Sequence, residues 1–62
     1  MDFTKVSDTE WKVDNTEYSI RLDQFKNYEV INKHGVRDYT GVTFGDALDW
    51  VDIVMYKKRV LK

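Results

Sequence analysis

The chain has 62 residues, 42% hydrophobic, 34% charged and 15% aromatic, with a formal net charge of −1 at pH 7. That length allows one domain, 1–62, with a modest core, and this balance is globular rather than disordered. With no cysteine there is no disulfide or thiolate metal site, and a net charge without basic excess argues against a general nucleic-acid binder.

The elements follow in chain order. Phe3 to Val6 fits either a strand or a docked N-terminal arm. Trp11 and Val13 alternate with Glu10 and Lys12, the period-two pattern of a half-buried strand. Asp14-Asn15 suits a tight turn, because both residues tolerate left-handed backbone. Tyr18, Ile20 and Leu22 then alternate with Glu17, Ser19, Arg21 and Asp23. A two-residue turn would set Trp11 opposite Tyr18 and Lys12 opposite Glu17, an aromatic pair on one face and opposite charges on the other. A one-residue slip would set Trp11 opposite Ser19 and spoil both faces.

A looser turn over residues 23–27 leads to Tyr28 and Val30, with Glu29 and Lys33 facing away. Ile31 breaks the alternation, so both faces of this strand are expected to be covered near its end. His34-Gly35 is the next turn, and a weaker strand from Val36 to Thr40 would bring Tyr39 opposite Val30. Thr43 reads as a helix N-cap with Asp46 three residues on, and Val42 and Ala47 as a hydrophobic staple around it. Phe44, Ala47, Leu48, Val51, Val54 and Met55 then share one helical face. Asp46, Asp49 and Asp52 stand toward the helix start and Lys57, Lys58 and Arg59 at its end, an order that complements the macrodipole.

The fold class expected is α+β: an antiparallel three- to four-stranded β-meander packed on one face by a single C-terminal α-helix. The strands fall at approximately 9–14, 16–23, 27–33 and, weakly, 36–40, and the helix at approximately 44–61. The expected core is Trp11, Val13, Tyr18, Ile20, Leu22, Tyr28, Val30, Tyr39, Phe44, Leu48, Val51, Val54 and Met55. The other sheet face carries Glu10, Lys12, Glu17, Arg21, Glu29 and Lys33, the mixed charge of a solvated surface.

No apolar run approaches the ~20 residues that span a bilayer. The start, Met1-Asp2-Phe3-Thr4-Lys5, is too polar for a signal peptide. A soluble, cytoplasmic domain without membrane contact is the expectation, and the lack of cysteine fits a reducing compartment.

Catalysis needs a nucleophile, acid or base held in a desolvated cleft. His34 is the sole histidine and lies beside Gly35 in a turn, and Ser7 and Ser19 have no neighbouring base pattern. Asp46, Asp49 and Asp52 step around the helix by about 60° each, so their carboxylates fan apart instead of converging on a metal. Gly35, Gly41 and Gly45 are isolated and form no phosphate loop. No catalytic residue, cofactor or metal ligand is expected, and the chain does not read as an enzyme.

Two surfaces stand out. Ile53, Tyr56 and Val60 share the helix side opposite Leu48, Val51 and Val54, where a helix lying on one sheet should be polar. Asp49 and Asp52 flank that stripe. Aliphatic and aromatic centres with charged rims are the anatomy of protein interfaces. The expectation is a small non-enzymatic protein-binding module, its partner another protein or, as a homodimer, a second copy. Small size together with the absence of a catalytic site suggests an inhibitor or modulator of a host protein encoded by a phage or mobile element, an analogy and not a motif. The alternative is a small nucleic-acid-binding protein using Arg37, Lys57, Lys58 and Arg59, with Lys62, and a tyrosine for stacking.

Overall fold

A computed structural model describes residues 2–60. Five strands precede one helix: β1 (Phe3–Ser7), β2 (Glu10–Val13), β3 (Ser19–Leu22), β4 (Tyr28–Ile31), β5 (Arg37–Gly41) and α1 (Phe44–Val60). The strands pair antiparallel in the order β1-β2-β3-β4-β5. This is the expected α+β architecture with one strand more. The segment before β2 is a strand and not a docked arm. The expected helix end near Leu61 lies outside the described residues.

The first interior hairpin departs from the two-residue turn. Trp11 stands opposite Ile20, and Lys12 opposite Ser19. The ladder closes where the Val13 N–H donates to the Tyr18 carbonyl at 3.1 Å. The loop therefore holds Asp14, Asn15, Thr16 and Glu17, with Asn15 at φ 61°. The Thr16 hydroxyl donates to the Val13 carbonyl at 2.8 Å and accepts the Tyr18 N–H at 3.1 Å, closing the loop from within. This register is two residues from the expected one. Because side chains alternate with period two, every residue keeps its face.

The next two loops are built alike. In the first, the Asp23 N–H donates to the Asn27 carbonyl, and Asp23 Oδ1 accepts the N–H groups of Phe25 (2.8 Å) and Asn27 (2.9 Å). In the second, the Asn32 N–H donates to the Val36 carbonyl, and Asn32 Oδ1 accepts the N–H groups of His34 (2.9 Å) and Val36 (3.1 Å). An Asx side chain at the first position thus organises each turn. The fourth position is left-handed in both, Lys26 at φ 63° and Gly35 at φ 78°. Beyond it, Val30 pairs with Tyr39, as the alternation requires.

Between β5 and α1 the chain turns through Val42 and Thr43. Thr43 Oγ1 accepts the Asp46 N–H at 3.1 Å, and the Thr43 carbonyl accepts the Ala47 N–H at 3.2 Å, so Thr43 is the N-cap. Asp46 Oδ2 accepts the Val42 N–H at 3.3 Å, one residue beyond the N-cap N–H that a capping box would use. The expected staple does not form, because Val42 is 75% exposed. The Tyr39 hydroxyl lies 3.2 Å from both Asp46 oxygens and ties the helix start to β5.

Val13, Tyr18, Ile20, Val30, Ala47 and Val51 are the buried core. Trp11, Tyr28, Tyr39, Phe44, Leu48, Trp50, Val54 and Met55 pack around it. Leu22, expected inside, is half-buried and stands outside this cluster. Two aromatic side chains of α1 organise the packing. Phe44 meets Phe3, Trp11 and Tyr28 edge-on, with centroids 4.8, 5.1 and 5.8 Å away, and so gathers β1, β2 and β4. Trp50 stacks on Tyr39 at 5.5 Å and 9° and meets Tyr18 edge-on at 5.6 Å. Such pairs add about 0.5–1.5 kcal/mol each beyond the area they bury.

Candidate interaction surface

α1 packs against β3, β4 and β5, and no other described element covers its opposite side. Three apolar side chains stand there, Ile53 at 55%, Tyr56 at 64% and Val60 at 57% exposure. At 100° per residue they fall within about 60° of one another around the axis, centred nearly opposite Val51. Asp49 and Asp52 are exposed beside them. The five residues singled out from the sequence thus form one continuous strip along the last three turns of the helix. β1 pairs with β2 at the edge of the sheet and does not cover this strip.

The cations of the alternative reading are dispersed. Arg37 Nη1 donates to Glu29 Oε2 at 3.2 Å on the outer sheet face, where Arg21 Nη2 holds the other oxygen at 3.1 Å. Glu29 is thereby clamped between two guanidinium groups. Lys58 turns back to the sheet: its Nζ donates to Glu17 Oε1 at 3.0 Å and to the Tyr18 hydroxyl at 3.4 Å, and lies 5.3 Å from the Tyr18 ring centroid. Lys33 reaches Glu17 Oε2 at 3.6 Å. Lys57 and Arg59 are exposed, and Lys62 lies outside the described residues. Trp11 and Tyr18 face the core, so neither offers a stacking platform.

The Lys58 ammonium, chiefly through its hydrogen bond, holds the Glu17 carboxyl below its ordinary 4.5. Glu17 in turn raises Lys58 above its ordinary 10.5. Tyr39 is raised above 10.0, first by desolvation and then by its bond to Asp46, since a phenolate beside a carboxylate is disfavoured.

An open groove of about 500 Å³ runs between the β2–β3 loop and the last turns of α1, lined by Lys12, Asn15, Thr16, Glu17, Met55 and Lys58. Its carboxylate is already bridged by two lysines, and the Lys12 ammonium donates to the Thr16 carbonyl. His34 stands exposed at its turn, and the Ser7 hydroxyl accepts the Thr9 N–H at 3.3 Å. Among the described residues no three His, Cys, Asp or Glu side chains converge as a metal site, and no helix is long and apolar enough to cross a membrane. Comparison with protein-family models, with curated proteins and with solved structures finds no significant match.

Trp50 and the Glu17–Lys58 bridge escape sequence reasoning. Trp50 sits about 100° from Val51 around the helix and is claimed only by Tyr39 and Tyr18, which the sheet brings to it. The bridge joins residues 41 positions apart. Opposite charges at that separation carry no local signal.

Proposed function

We propose that this chain is a non-enzymatic protein-binding module that contacts another protein through the outer face of α1. One observation carries the reading: Ile53, Tyr56 and Val60 are each more than half exposed on the side of the helix that faces no other described element. A helix resting on a single sheet gains nothing from apolar residues there. Their desolvation becomes favourable only when a partner covers them, at roughly 25 cal/mol per Å² of apolar surface. Tyr56 supplies the amphipathic anchor that binding surfaces favour, and Asp49 and Asp52 supply a charged rim. The narrower reading, an inhibitor or modulator of a host protein, rests on analogy, since among the described residues no acid–base pair is assembled. The nucleic-acid reading is weaker, because Arg37 and Lys58 spend their charge on Glu29 and Glu17.

The test is capture by tagged wild-type, Ile53→Asp and Tyr56→Asp proteins, each with its circular dichroism spectrum. The substitutions should abolish association while leaving the spectrum unchanged. Association indifferent to both would remove this face from consideration.

A further inference from the structure

We infer that the partner of this face is a second copy of the chain, packed helix against helix in antiparallel sense about a two-fold axis beside Tyr56. The inference rests on the reading of the outer face of α1 as the contact surface and names its occupant.

Charge placement selects the occupant. The outer face and its flanks are acidic in their first part, at Asp49 and Asp52, and basic in their last, at Lys57 and Arg59, all exposed. Lys58 is withdrawn from this set by Glu17, whereas Arg59 makes no salt bridge among the described residues. Asp52 toward one end and Arg59 toward the other complement each other when two copies run antiparallel, whereas Lys57 stands next to the axis and meets its counterpart in the other copy. A parallel pair would set Asp49, which lies within the arc of the apolar strip, on Asp49 of the other copy, and like charges in direct opposition are destabilising.

The apolar residues fix the register. With the axis between Tyr56 and Lys57, Ile53 of each copy lies level with Val60 of the other, and the two Tyr56 rings meet beside the axis. This operation keeps every residue on its own side of the contact. Asp52 and Arg59 share a side, about 20° apart around the helix, and Arg59 of one copy falls about 3 Å along the axis from Asp52 of the other. The contact is isologous, so the Ile53–Val60 and Asp52–Arg59 pairs are each made twice and the Tyr56 pair once, and the assembly closes at two. A single helix pair buries less than the roughly 1,600 Å² of a standard interface, so the dimer is weak and concentration-dependent.

Sedimentation equilibrium on the full chain at low salt tests this, with circular dichroism as the check on folding. Expected is a monomer–dimer equilibrium lost in Tyr56→Asp. Asp52→Arg and Arg59→Glu should each weaken it by about tenfold, as two symmetry-related pairs turn repulsive. An equimolar mixture of those two proteins should restore the dimer, because each copy then offers the other opposite charges at both pairs. A mixture no tighter than the separate proteins, or a wild-type monomer up to about 1 mM, would overturn the self-pairing. If that monomer still captures a different protein through Tyr56, the self-pairing falls and the contact face stands. A dimer indifferent to Tyr56→Asp overturns the pairing geometry.

Discussion

Lys26 occupies in the β3–β4 loop the place that Gly35 occupies in the β4–β5 loop. Both residues are left-handed, at φ 63° and 78°, and both follow an Asx side chain that accepts two N–H groups. Glycine takes this conformation freely, whereas a lysine Cβ is crowded there by about 1–2 kcal/mol. Lys26→Gly should therefore stabilise the fold by about 0.5 kcal/mol, after the added freedom of glycine in the unfolded chain is subtracted. A Cβ at Gly35 would meet no atom within 4 Å, so Gly35→Ala isolates the backbone cost and should destabilise by about 1 kcal/mol. Urea midpoints at constant slope check both. A stabilising Gly35→Ala would show that the shared loop geometry is wrong.

Gly41 closes the sheet against the helix start. A Cβ there would meet the Ala47 nitrogen and Asp46 Oδ2 at 3.1 Å. The backbone neighbour cannot swing aside, so Gly41→Ala should push β5 from α1 and cost about 1–3 kcal/mol. Thermal unfolding measures the loss. No change in midpoint would mean that β5 and the helix start are farther apart than described.

Trp50 joins the helix to β5 and to the start of β3 through Tyr39 and Tyr18. Trp50→Ala should cost about 3–5 kcal/mol, comparable with the whole stability of a domain this small. Trp50→Phe should keep much of it. Near-ultraviolet circular dichroism reports the stacked pair, and an unchanged aromatic signal in Trp50→Ala would contradict the packing.

The Glu17–Lys58 bridge gives stability a two-sided pH dependence. Glu17 is lowered from 4.5, so its contribution is present above that value and is lost as pH falls through the folded-state value. Lys58 is raised from 10.5, so its contribution is present below that value and is lost as pH rises through the folded-state value. The difference in melting temperature between wild type and Lys58→Met should be flat between about pH 5 and 10 and shrink on either side. Tyr39, raised from 10.0, adds an alkaline loss that Tyr39→Phe removes. A difference that grows on acidification would contradict the bridge.

Much of this fold is legible in the sequence, and the misses share causes. Alternation in β2 and β3 assigns faces correctly and is blind to the two-residue shift that the four-residue loop introduces. Phe3–Ser7 is exposed at every position, so it carries no burial pattern to mark it as a strand. Val42 looks like half of a staple, but Asp46 takes its N–H and the side chain points to solvent. Leu22 has the right parity and lies at the end of β3, away from the packed cluster. The helix strip is legible because amphipathicity is a local property of one element. The withdrawal of Lys58 and Arg37 from the basic set is not, because Glu17 and Glu29 reach them only through the fold.

The most direct measurement places a photoreactive phenylalanine analogue at Tyr56 in one protein and at Phe25 in another. Phe25 is 74% exposed at the tip of the β3–β4 loop, so it controls for the stickiness of any exposed aromatic ring. Irradiation should give a discrete protein adduct, to a second copy or to a different chain, from position 56 and none from position 25. Adducts from position 25 alone, or from neither, would contradict a contact surface on the outer face of the helix.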